Sequence, residues 1–104
     1  MRRDFGMPKK EWIKDLPEGF HLLIFQNSFL GIWYGFSVVL IYNDECVTRY
    51  DTAHKQAHRD LLGQRKGLMK KEWCENMSFK EAFRYAIEDL SSNYQAYLEF
   101  YLAN

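Results

Sequence analysis

From Ser78 onward the chain contains neither glycine nor proline. Over that stretch Phe79, Phe83, Ala86, Ile87, Leu90, Tyr94, Tyr97, Leu98 and Tyr101 recur at spacings of three and four. This pattern predicts one helix over residues 78–102, with a single apolar stripe running over about six turns. Ser78 followed three residues later by Glu81 forms a capping box, and Met77 suits the hydrophobic staple. A helix of this kind must lay its stripe on a second layer of structure. An aromatic stripe at helical spacing is core, so no ligand is assigned to it.

The second layer is expected from residues 20–50. Residues 20–26, 29–34, 36–42 and 46–50 are rich in aromatic and β-branched side chains, as strands require. Asn27-Ser28 reads as a turn, Gly35 as a bulge or bend, and Asn43-Asp44 as a tight hairpin turn. The predicted fold class is therefore α+β: an antiparallel sheet meander of three or four strands packed against a long C-terminal helix. At 104 residues the chain suits a single domain spanning 1–104. Residues 1–19 are an N-terminal extension in which 9–16 suit a short amphipathic turn or helix. Residues 51–71 hold a histidine-bearing segment and a basic loop.

Apolar residues at 47% argue against disorder, and the zero net charge by itself identifies no acidic partner. The distribution of charge is more telling. Residues 1–48 and 72–104 carry balances of −1 and −4, whereas residues 49–71 carry +5. A basic middle on an otherwise acidic chain suits a local phosphate-binding patch. The two cysteines, Cys46 and Cys74, lack disulfide-framework or metal-finger spacing, and no secretion signal is legible at the N-terminus. No apolar run is long enough to cross a bilayer as a helix. A cytoplasmic location with no membrane partner is the expectation.

Residues 49–60 gather two of the three histidines, two aspartates and three cations directly after a strand-like run. If residues 52–62 form a short helix ending at Gly63, then Asp51, His54 and His58 share one face. Two imidazoles titrating near neutrality suit acid–base work on a phosphodiester. One takes the proton of a ribose 2′-hydroxyl and the other protonates the leaving 5′-oxygen. Asp51 or Asp60 orients a ring, and Tyr50 and Arg59 stand near the scissile phosphate. Arg49, Arg59, Arg65, Lys66, Lys70 and Lys71 are the expected RNA- and phosphate-binding residues. This scheme needs no cofactor, although Asp51, His54 and His58 also form an incomplete ligand set for a divalent metal.

Val47-Thr48-Arg49-Tyr50-Asp51, then His54, His58 and Asp60, then the capped helix start from Ser78 to Leu90, resemble the TumE family of small toxins. The family pattern closes on a His-x-His pair, where this chain has His58 and Asp60. The resemblance implies a toxin of a toxin–antitoxin pair that acts on RNA, with a DNA-binding antitoxin as cognate partner. A second class also fits the residues. The tyrosine-rich helix end and exposed Trp12, Trp33 or Trp73 suit a non-catalytic domain binding protein or nucleic acid, or a homo-oligomer contact.

Overall fold

The computed structural model describes residues 9–53 and 55–104. It forms one antiparallel meander of six strands, ordered as they occur in the chain. These are β1 (Lys9–Asp15), β2 (Phe20–Phe29), β3 (Ile32–Tyr42), β4 (Glu45–Ala53), β5 (Gln56–Gly63) and β6 (Gly67–Trp73). One helix, α1 (Phe79–Ala103), lies across a single face of this sheet. The α+β class and the helix are as the sequence predicts. Ser78 caps α1 with both capping-box hydrogen bonds in place. Within α1, Asn93 leaves helical torsions (φ −118°, ψ 22°), and its amide donates to Asp89 Oδ1 at 2.7 Å.

The sheet is larger than expected because three segments are extended. Residues 9–16 hold β1 rather than a turn or helix. The turn expected at Asn27-Ser28 sits instead at Leu30-Gly31, and a register shift at Asn27/Ser28 opposite Gly35 supplies the anticipated bulge. Asn43 and Asp44 turn the β3–β4 hairpin with φ of 52° and 61°, as a two-residue turn of this hand demands.

Of residues 52–62, those described are not helical. They belong to the end of β4, to β5 and to the turn between them, where Ala53 pairs with Gln56 and Lys55 has φ 66°. An isolated helix of about eleven residues is marginal, whereas β5 in extended form bonds both neighbours, β4 and β6. The basic loop is likewise mostly strand: only Gln64, Arg65 and Lys66 turn, and Gly67–Trp73 is β6.

Side chains on alternate residues point to opposite faces. Leu22 and Ile24 of β2, Phe36, Val38 and Leu40 of β3, and Tyr50 of β4 bury against Phe83, Ala86 and Leu90 of α1. Ala82 and Ala86 are fully buried, and such small residues let the helix lie close to the sheet.

The C-terminal end of α1 docks on the β5–β6 hairpin. The backbone N–H of Gln64 donates to the Tyr101 carbonyl at 2.9 Å, and that of Lys66 to the Asn104 carbonyl at 3.0 Å. Arg65 Nη2 reaches the Ala103 carbonyl at 3.3 Å. These bonds satisfy carbonyls that a helix end leaves open, and the Arg65 charge complements the dipole. A Cβ at Gly63 would lie 2.7 Å from Asn104 Cβ and 2.8 Å from its backbone carbonyl. Gly63→Ala is therefore expected to lose about 1–3 kcal/mol by forcing this junction apart. Urea denaturation of the variant reads the loss directly.

Candidate functional site

Pairing across β4, β5 and β6 sets the register of the histidine segment. Asp51 pairs with His58 and His58 with Trp73; Arg49 pairs with Asp60 and Asp60 with Lys71. Tyr50 and Arg59, the intervening pair, face α1, so these six residues occupy the opposite, open face. Strand alternation thus gathers five of the eleven predicted site residues, Arg49, Asp51, His58, Asp60 and Lys71, in two adjacent rows.

Asp60 is the anchor of this cluster, at 2% exposure. Its Oδ2 accepts from Arg49 Nε at 2.9 Å and its Oδ1 from Lys71 Nζ at 3.0 Å. Burial alone would raise its pKa, but the Lys71 and Arg49 hydrogen bonds outweigh burial and hold the carboxyl below its ordinary value. Arg49 and Lys71 are partly open to solvent, so each presents further N–H donors outward.

His58 lies beside this carboxylate, with Nε2 3.5 Å from Asp60 Oδ1, close enough for charge–charge attraction but longer than a formed hydrogen bond. The ring is buried and Trp73 packs edge-on against it, with ring centroids 5.1 Å apart. Burial lowers the His58 pKa most; Asp60 opposes this, while nearby Lys71 reinforces it. The imidazole is therefore neutral at pH 7, and its single proton belongs on Nε2, facing Asp60. Nδ1 then carries a lone pair, and no donor among the described residues reaches it. A neutral imidazole with one nitrogen oriented by a carboxylate and the other unpartnered has the equipment of a general base.

The remaining predicted residues fall elsewhere. His54 lies outside the described residues. Tyr50 and Arg59 are on the helix side, away from His58, and hold the helix rather than facing a phosphate beside that ring. Tyr50 donates to Asp89 Oδ2 at 2.7 Å, Tyr97 donates to the same oxygen, and Arg59 Nη1 donates to the Tyr97 hydroxyl at 2.6 Å. Burial and the Asp89 hydrogen bond push Tyr97 up to about 12 and Tyr50 higher still. Arg59 also pairs with Glu72, which takes Lys70 Nζ at 2.9 Å. Lys70 is thus turned toward the helix side, and Arg65 is occupied with the helix end. Among the described residues, no three His, Cys, Asp or Glu side chains are grouped to hold a metal ion. None of their helices is long and apolar enough to cross a membrane. Trp73 was legible only as an exposed tryptophan; the two-residue alternation of β6 is what brings it to His58.

A family model matches residues 7–104. The chain belongs to DUF7718, described as a domain of unknown function. No curated protein and no solved structure matches it. Membership assigns no chemistry, so the reading of this DUF7718 domain rests on its own residues.

Both depressed pKa values act on stability in one direction. A group whose folded pKa lies below its unfolded value contributes fully above the unfolded value, and that contribution fades as pH falls through the folded one. For His58 the loss begins below its ordinary 6.5 and for Asp60 below 3.8. The melting temperature is expected to fall as pH drops from 7 to 5, and His58→Gln should flatten that part of the curve. An unchanged slope in the variant would remove His58 as its source.

Proposed function

We propose that this domain acts on RNA at the open face of its sheet, as a small ribonuclease and the toxin of a toxin–antitoxin pair. One observation carries the reading: the buried His58 has Nε2 beside Asp60 and an unpartnered Nδ1. In this scheme Nδ1 accepts the proton of a ribose 2′-hydroxyl, whose oxygen attacks the adjacent phosphorus. Asp60 holds the ring and favours the imidazolium that forms. Arg49 and Lys71, on the same row, offer their outward donors to the charge growing on the phosphorane. The departing 5′-oxygen needs a proton, and the sequence offers His54 for it. Nδ1 is buried and Trp73 packs against the ring, so in this scheme the substrate must displace that packing to reach it. The resemblance of residues 47–60 to TumE toxins supports the same reading and adds an antitoxin as partner.

The test is expression in a bacterial host. The wild-type chain is expected to arrest growth and His58→Ala to relieve the arrest at equal protein level. Arrest by both chains alike would overturn the assignment of His58 and favour a domain that acts by binding alone.

A further inference from the structure

A groove of ≈ 810 Å³ opens on the helix side, at the end of the sheet where the β2–β3 and β4–β5 hairpins meet the start of α1. Trp33, Tyr34, Lys55, Met77, Phe79 and Lys80 line it. The volume is that of a ligand site rather than a packing fault. Trp33 is braced by Phe83, with ring centroids 5.0 Å apart, and forms a fixed wall. Tyr34 also lines the groove with 45% of its surface open, and Met77 is 39% exposed. Lys55 and Lys80 are both exposed, and no carboxylate is among the described residues that line the groove. Aromatic side chains and two ammonium groups lining one groove match the chemistry of unstacked bases on a phosphate backbone.

We infer that this groove binds single-stranded RNA beside the point of cleavage, with bases on Tyr34 and Trp33 and phosphates on Lys55 and Lys80. The inference rests on the ribonuclease reading and names how its substrate is held. Lys55 stands at the turn of the hairpin whose second strand, β5, carries His58 three residues further on. An RNA strand rounding the end of the sheet thus passes from the groove to the open face. A double helix keeps its bases stacked and offers no free ring to Tyr34.

Fluorescence anisotropy with a labelled ten-nucleotide oligouridylate tests this, with circular dichroism confirming that each variant is folded. Tyr34→Ala and the Lys55→Ala, Lys80→Ala pair are each expected to weaken binding about tenfold. Tyr34→Phe should bind as the wild type does, and the lysine pair should flatten the salt dependence. His58→Ala should bind normally and fail to cleave. Unchanged affinity in both groove variants, or equal affinity of the wild type for a duplex, overturns the groove even if His58 proves catalytic. Cleavage by His58→Ala with binding still dependent on the groove overturns the catalytic reading and leaves the groove standing. A wild-type chain that binds no oligouridylate overturns the groove outright.

Discussion

Leu90→Ala is expected to destabilise the domain by about 2–5 kcal/mol. Leu90 is fully buried near the middle of α1, where the helix crosses the central strands. Truncation removes its transfer energy and leaves a cavity that the flanking strands, tied on both edges by hydrogen bonds, cannot readily fill. Phe83 is 8% exposed and meets Trp12, Trp33 and Phe36, so Phe83→Ala should rank alongside. Ile87 is only partly buried and should cost less. A domain of this size holds about 5–15 kcal/mol in all, so either large truncation brings it near unfolding. Urea denaturation should show the midpoint shift at an unchanged slope. A Leu90→Ala midpoint equal to wild type would mean that the helix does not hold the sheet in this way.

His58→Ala is expected to lower RNA cleavage by about 10²–10⁴-fold. The size follows from losing a positioned base rather than a binding contact, so affinity for the strand should hardly change. Stability should suffer less than at Leu90, because the lost side chain leaves no partner stranded: its Nδ1 has none, and Asp60 keeps both Arg49 and Lys71. Asp60→Asn is different. It leaves the two cations without their carboxylate and removes the group that draws the His58 pKa upward. Its cleavage should fall through a shifted pH profile rather than through loss of the base.

The helix was legible because capping, stripe and absence of breakers all agree over one continuous stretch. The β3–β4 hairpin was legible because Asn43-Asp44 can take the positive φ it needs. Residues 52–62 misled for a physical reason: Ala53, Ala57 and Leu61 fit a helical stripe, while Ala57 and Leu61 fit a strand face equally well. What decided was the availability of β4 and β6 as partners, and no local window contains them. The crowding of Arg49, Asp51, His58 and Asp60 in sequence did foretell their crowding in space, though by strand alternation instead of a helical face. The same alternation removed Tyr50 and Arg59. The tetrapeptide Lys-Lys-Glu-Trp at 9–12 and again at 70–73 makes the point sharply. Trp12 packs on Phe83 beneath the helix, whereas Trp73 packs on His58 across the sheet. Identical residues serve opposite faces because register, not composition, sets the side.

In the proposed scheme His58, beside Asp60 on the open face, cleaves RNA without a metal. Purified wild-type and His58→Ala chains incubated with single-stranded RNA in excess EDTA test it most directly, with product ends read by mass spectrometry. The wild type is expected to give fragments ending in 2′,3′-cyclic phosphate, and the variant about 1% or less of that rate. Equal rates for the two chains, no cleavage by the wild type, or activity that vanishes with EDTA and returns with zinc or manganese would contradict it.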